Sequence, residues 1–272
     1  MKDLAHKIKK YWRVLKHLYK MNMMNRLAYT ANFFVMCVGI FIQMSLSIIF
    51  IKTIFGFIKN LAGWGYYEAL LIVASYMIID GLMWVGCAYL SALSHYLRMG
   101  KMDAFLVKPI DSQYLISVFR GDIEDINRLI VGISVFIYAL NHLNLGLVEL
   151  IIRIPIYAIL IINGFLMFYS ITLVLCSAGF WIIRTESFSD ISHALIQISQ
   201  YPTNIFYHFF VRLILSTIIP VAFMATVPAK ILAYGFNSWW LIPSSFLLAA
   251  IFFYGSRKFW LLGLKNYSSG SS

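Results

Sequence analysis

"IPIYAILIINGFLMFYSITLVLCSAGFWII", residues 154–183, contains no charged side chain. An α-helix rises about 1.5 Å per residue and the hydrocarbon core of a bilayer is about 30 Å thick, so roughly 20 apolar residues cross it. This run exceeds that length and predicts a membrane-spanning helix with room to tilt. Five further apolar runs cover approximately 27–51, 67–94, 128–146, 204–227 and 238–261. Hydrophobic residues make up 61% of the 272 positions and charged residues 12%, about half the usual share of a soluble domain. Mean hydropathy is +0.79. A soluble fold could not cover itself with so little polar surface. The chain reads as an all-α membrane protein with six spans, a single transmembrane domain over 1–272, with no internal repeat and no soluble domain.

The first apolar run starts near Leu27, behind a long basic segment, and has no small-residue cleavage site, so it reads as a retained anchor rather than a signal sequence. Within 2–25, Leu4, Ile8, Tyr11, Trp12, Leu15, Leu18 and Tyr19 recur at helical spacing among Lys7, Lys9, Lys10, Arg13, Lys16 and Lys20. That pattern predicts a basic amphipathic helix lying in the membrane interface. A nucleic-acid arm and a calmodulin-type target are its alternatives.

Basic residues set orientation. With the N-terminus inside, the inner segments (the N-terminal arm, 95–128, 183–203 and 256–272) carry 17 of the 22 Lys and Arg. The outer side carries Lys52, Lys59 and Lys230. N-in, C-in topology follows. The net charge of +11 therefore points to membrane orientation rather than to nucleic acid.

The fifth run is interrupted by Pro220 and Pro228. Each lacks an N–H and crowds the preceding turn. Backbone groups freed in lipid must be covered by protein or water, which predicts a discontinuous, partly re-entrant element on the outer side; a simple kink is the alternative.

Absent motifs narrow the function. The only Gly-Lys pair, Gly100-Lys101, lacks the rest of a phosphate-cradling loop, and "GWGYYE" at 63–68 is no dinucleotide fingerprint. No H-E-x-x-H or G-x-S-x-G occurs, and the six histidines show no metal-ligand spacing. Cys37, Cys87 and Cys176 each lie in an apolar run and read as buried small hydrophobes. The sequon at 266–268 falls on the inner side and reads as a chance match.

Ionisable side chains inside spans mark either a functional path or a helix-pairing contact. Asp80 lies mid-span; His208 and Arg212 lie one turn apart. These residues, with Tyr207 and Pro220, are the candidate translocation-path set. In the structural alternative Asp80 pairs with Arg212 or another polar neighbour.

The segment 95–127 is the chain's main charged inner loop. Asp103, Asp111, Asp122, Glu124 and Asp125, five of the eleven acidic residues, are balanced by Arg98, Lys101, Lys108, Arg120 and Arg128 across 95–128. Such balance argues against anionic-lipid binding and, with Phe105, Leu106, Val107, Ile110, Tyr114, Leu115 and Ile116 interspersed, suits docking to a soluble protein. A solvated connector is the alternative.

Here the residues resemble a family. Gly100, Met102, Asp103, Leu106, Lys108 and Pro109 are similar to the G-x-[LM]-D-x-x-L-x-[RK]-P loop of ABC type 2 permeases, in the six-span branch formerly described as a domain of unknown function. Tyr201-Pro202, "IIPVAFMATVPAKIL" (218–232) and "FWLLGLKNYSSGSS" (259–272) resemble later segments of that branch, in order. Lys108 stands where Arg is more usual, and lysine lacks the bidentate fork.

The resemblance implies a permease subunit of an ATP-binding cassette exporter, working as a homodimer or with a sister permease on two separate ATPase subunits in a bacterial cytoplasmic membrane. It implies no cofactor in this chain, with ATP and Mg²⁺ on the partner ATPase, and no nucleic-acid partner. The N-terminal helix corresponds to the family's elbow helix. Gly100, Met102, Asp103, Leu106, Lys108, Pro109, Asp111, Tyr114, Arg120, Asp122 and Glu124 would form the coupling surface. In this reading Asp103 and Lys108 fix the loop, Phe105–Val107 pack beneath the spans, and 111–125 makes most of the ATPase contact. A membrane-embedded lipid-modifying enzyme and a secondary transporter are the alternatives; the enzyme needs Asp80 and His208 to face each other.

Overall fold

The computed structural model describes residues 2–182 and 186–267. The C-terminal serine-rich part of the resemblance lies outside them. Helices dominate throughout; among the described residues the only extended pairing is an isolated bridge between Leu61 and Trp64.

The chain opens with α1 (Lys2–Leu27) and α2 (Thr30–Phe57), then α3 (Tyr66–Cys87), which runs through a tight 3₁₀ segment (Ala88–Ala92) into α4 (Leu93–Arg98). Short helices α5 (Asp103–Leu106) and α6 (Ser112–Val118) lead to α7 (Ile126–Asn141) and the long α8 (Leu147–Ser177). α9 (Glu186–Ile198) is followed by α10 (Phe209–Leu213), α11 (Val221–Met224), α12 (Thr226–Tyr234) and α13 (Leu241–Asn266).

By length and composition, four helical stretches among the described residues can cross a membrane: Thr30–Phe57, Tyr66–Leu97, Leu147–Phe180 and Leu241–Asn266. The third expected span is shorter than its apolar run. It ends at Asn141 because Asn144 takes a positive φ of 49° in the polar turn before α8. At 16 residues α7 is about 24 Å long.

Burial divides the four long helices. In their most apolar windows, 72% of the α3 stretch and 61% of the α8 stretch are buried, against 11% for α2 and 22% for α13. α3 and α8 therefore form the centre, with α7 along α3 and α13 along α8. α2 presents Phe34, Val35, Phe41 and Leu46 outward. An apolar face exposed in this way is stable against lipid or another membrane subunit, not water.

The fifth element is discontinuous. α10 passes into a π-helical stretch (Ile214–Ile218), and the helix stops at Ile219-Pro220. Ser216 donates to the Arg212 carbonyl at 2.7 Å and Thr217 to Leu213 at 2.6 Å, satisfying carbonyls that the widened turn loosens. The chain then enters the core, where Val221 to Ala229 are all buried. Pro220 marks the break, whereas Pro228 sits in the first turn of α12, where a missing N–H costs nothing. One proline ends a helix and the other begins one.

Candidate functional site

The segment after α4 is held to the rest of the chain at both ends and across its middle. α4 ends at Met99, and Gly100 (φ 64°) turns the chain in the left-handed region that glycine adopts without a Cβ penalty. Met102 is fully buried and Phe105 nearly so, which anchors α5. Phe105 joins Tyr89, Tyr96 and Phe119 in an aromatic cluster with Phe105–Phe119 centroids 4.9 Å apart. Lys108 Nζ lies 5.6 Å from the centroids of both Phe105 and Phe119, a cation–π clamp that needs charge but no bidentate fork. Asp103 opens α5 beside Tyr267.

The expectation that Phe105–Val107 pack together under the spans holds only for its first residue. Leu106 is 40% exposed and Val107 81% exposed. A single turn of helix cannot bury three consecutive side chains against one surface, since successive residues point about 100° apart. The exposed set is instead Met99, Leu106, Val107 and Pro109, rimmed by Lys101, Lys108 and Arg120.

Downstream, Asp111 caps α6 by accepting from the Tyr114 N–H at 3.0 Å. Its carboxylate also takes the end of the Arg257 guanidinium, with Nη1 to Oδ1 at 3.0 Å and Nη2 to Oδ2. Burial alone would raise the Asp111 carboxyl, but Arg257 and the cap N–H outweigh it and hold it below the usual range. Gln113, Leu115, Ile116 and Ser117 are buried. Residues 120–122 then lie against the end of α3. Tyr89 N–H donates to Arg120 at 3.2 Å and Asp122 N–H to Trp84 at 3.0 Å. A Cβ on Gly121 would sit 1.9 Å from the Val85 carbonyl oxygen, so only glycine fits.

α1 straps this segment from below. Lys10 Nζ donates to the Pro109 carbonyl at 2.6 Å, Tyr114 OH to Tyr11 at 3.0 Å, and Asn22 to Phe119 at 3.2 Å. Tyr19 OH donates to Val85 at 2.6 Å, and burial pushes that phenol up to about 12. Arg26 pairs with Asp122 and, at 2.9 Å, with Glu124. Asp111, Tyr114 and Asp122 are thus engaged inside the chain, as is Glu124 through Oε1, while Glu124 Oε2 is buried without a partner among the described residues. The sequence pattern contained no sign of these long-range contacts to backbone carbonyls.

A second cluster lies beside it. Arg128 reaches Asp80 at 2.8 Å, contacts Asp125, and donates to Gln43 at 3.1 Å, joining α3, α7 and α2. The partner of Asp80 is Arg128 rather than Arg212. His193 of α9 stacks on Trp84 at the edge of this cluster, centroids 4.6 Å apart, and burial, with Arg128 nearby, holds its imidazole below the usual range. His208, Arg212 and Tyr207 lie elsewhere, exposed on and before α10, and Pro220 is buried at the break. The path set is therefore split: Asp80 is in an internal ion network, while Tyr207, His208 and Arg212 face outward. Among the described residues no group of His, Cys, Asp and Glu is arranged to hold a metal ion.

Segment 99–125 is thus held by α1, the end of α3 and α13. The model for the ABC-2 family transporter proteins matches residues 41–271. The chain belongs to the ABC-2 transporter family. Comparison with curated proteins and with solved structures returned no match. The ABC-2 match includes the whole of the segment 99–125 and the broken fifth element, but leaves α1 and the first part of α2 outside. Membership makes this chain a multi-pass transport permease component, whose apolar helices fit that role.

Proposed function

We propose that the chain is the permease subunit of an ATP-driven exporter in a bacterial cytoplasmic membrane. It spans the membrane six times, counting α7 and the broken fifth element, with both termini inside and α1 as an elbow helix in the inner interface. Two copies, or this chain and a sister permease, enclose the path. Two separate ATPase subunits carry ATP and Mg²⁺ and drive the transition between inward- and outward-facing states. The chain itself carries out transport, not catalysis.

One observation carries this reading: the inner segment is anchored by buried aromatic, glycine and ion-pair contacts yet presents Leu106 and Val107 outward inside a basic rim. An apolar centre with a charged margin is the anatomy of a protein-docking patch. Because Asp111, Asp122 and Glu124 are engaged within the chain, the ATPase contact centres on 99–109 rather than on 111–125, with Arg120 at its margin. Asp103, anchored next to Met102, sets the start of the exposed turn. The path set remains a proposal in two parts. Asp80 acts through helix pairing, and Tyr207, His208, Arg212 and Pro220 face the second permease or the path between the two.

A cysteine at Val107 and disulfide trapping in membranes co-expressing the ATPase test the docking surface. Cross-linking at Val107 but not at Ser117 is the expected result. ATPase activity in a preparation of this chain alone would sink the proposal, as would efficient trapping at Ser117 in place of Val107.

A further inference from the structure

A cleft of about 570 Å³ opens between α1, α6, α8 and α13, next to the inner segment. That is within the range of sites for small amphiphiles. Its walls are apolar at one end, where Phe165, Leu166, Val118 and Phe253 line it, and polar at the other, where Arg257 and Tyr11 line it. Tyr254 and Phe253, exposed on the sparsely buried α13, flank its open side. The opening therefore faces the surroundings of the spans.

The polar end has unused donors. Arg257 has five N–H groups. Three are taken: two from Nη1 to Asp111 and Gln113, and one from Nη2 to Asp111. Among the described residues the Nε–H and the second Nη2–H have no acceptor; they form the side edge of the guanidinium fork. That edge matches two oxygens of a phosphate or carboxylate. The Tyr11 hydroxyl accepts from the Asp111 N–H at 3.3 Å and, among the described residues, has no acceptor for its own proton. An apolar slot ending in unfilled N–H and O–H donors fits the oxygens of an anionic headgroup with acyl chains behind it.

We propose that this cleft holds one anionic phospholipid of the inner leaflet, its acyl chain between α8 and α13 and its phosphate on the free edge of Arg257 and the Tyr11 hydroxyl. The lipid would close the junction where elbow helix, inner segment and last helix meet. This inference rests on the membrane setting, not on which cargo is moved or which ATPase docks.

The test is native mass spectrometry of the purified full-length chain in detergent, titrated with phosphatidylglycerol or phosphatidylcholine. The expected result is one phosphatidylglycerol adduct per chain, held about tenfold more tightly than phosphatidylcholine. Leu166→Trp fills the apolar slot without touching the Asp111–Arg257 pair and removes that adduct, although every lysine of α1 remains. Tyr11→Phe and Arg257→Lys, which keeps the charge but not the fork, each reduce the headgroup preference. Equal retention of both lipids, or an adduct that survives Leu166→Trp undiminished, overturns the proposal; if Arg257→Lys does not fold, Leu166→Trp and Tyr11→Phe still decide it.

Discussion

Replacing Arg128 by methionine should destabilise this protein far more than neutralising Asp80, its partner. The Arg128 side chain is 10% exposed, and it faces Asp80 at 4% and Asp125 at 8%. Arg128→Met leaves two buried carboxylates near each other with no cation between them. Removing one member of a buried pair costs about 3–5 kcal/mol, because the remaining charge stays desolvated. Asp80→Asn differs in kind. Asparagine still offers an oxygen to Nη1, and Arg128 keeps Asp125. The change reduces one charge-assisted hydrogen bond to an ordinary one, a difference of about 1–1.5 kcal/mol. The double substitution Asp80→Asn with Arg128→Met should recover part of the Arg128→Met loss, since one stranded charge is gone. Thermal unfolding in a fixed detergent, followed by size-exclusion of the surviving fraction, reads the order. By the scaling of soluble domains, 3–5 kcal/mol corresponds to about 6–20 °C for a chain of this size. If Arg128→Met proves as stable as Asp80→Asn, the network is not what joins α2, α3 and α7 here. Transport gives the second readout: Asp80→Asn that folds normally yet abolishes export would place Asp80 in the path rather than in the packing.

Three further expectations can be checked with the same preparation. Gly121→Ala places a methyl 1.9 Å from the Val85 carbonyl oxygen and should cost at least about 1–3 kcal/mol, seen as lost monodisperse protein; normal stability would mean that 120–122 does not lie on α3. Val107→Asp should leave stability within about 0.5 kcal/mol while abolishing ATPase association, whereas Phe105→Ala, two residues away, should cost about 3–5 kcal/mol; equal effects from both would contradict the anchored-tip arrangement. Because the folded state holds Asp111 below its ordinary range, the unfolded chain takes up the proton first. The Asp111–Arg257 contribution is therefore complete above about pH 4 and is lost as pH falls through and below it. The stability gap between wild type and Asp111→Asn should close on acidification, and a gap that persists unchanged at low pH contradicts the pairing.

The apolar runs made the helical class legible, because a stretch such as 154–183 has only one stable form in a bilayer. The same signal overstated α7, since apolar content does not report the positive φ at Asn144 that ends its turn. Pro220 and Pro228 announced the broken element, but residue type alone could not tell a helix stop from a helix start. The mixed charge of 95–128 was legible in the sequence, yet its exposed and buried faces were not. Asp111 and Glu124 looked as available as Lys101 until Arg257, 146 positions from Asp111, and Arg26 were brought to them. Arg128 read as a loop charge, although its spacing to Asp125 at i,i+3 was a hint of a local pair. The partner of Asp80 lies 48 positions away, a distance at which helix periodicity says nothing.

The strap formed by α1 also sets an order of events during synthesis. α1 leaves the ribosome ahead of the segment it straps, and the carbonyl that Lys10 grips at Pro109 is made 99 residues after Lys10. At about 5–20 residues per second, that is a wait of roughly 5–20 s. In that interval Tyr11, Asn22 and Arg26 have none of their final partners, and Tyr19 gains the Val85 carbonyl only 66 residues after itself. A helix with exposed Ile8 and Trp12 amid six or more cations can lie on an anionic membrane surface while it waits. The basic character of α1 would then serve the nascent chain before it serves the finished one, keeping the strap within reach until the segment it fastens has been translated.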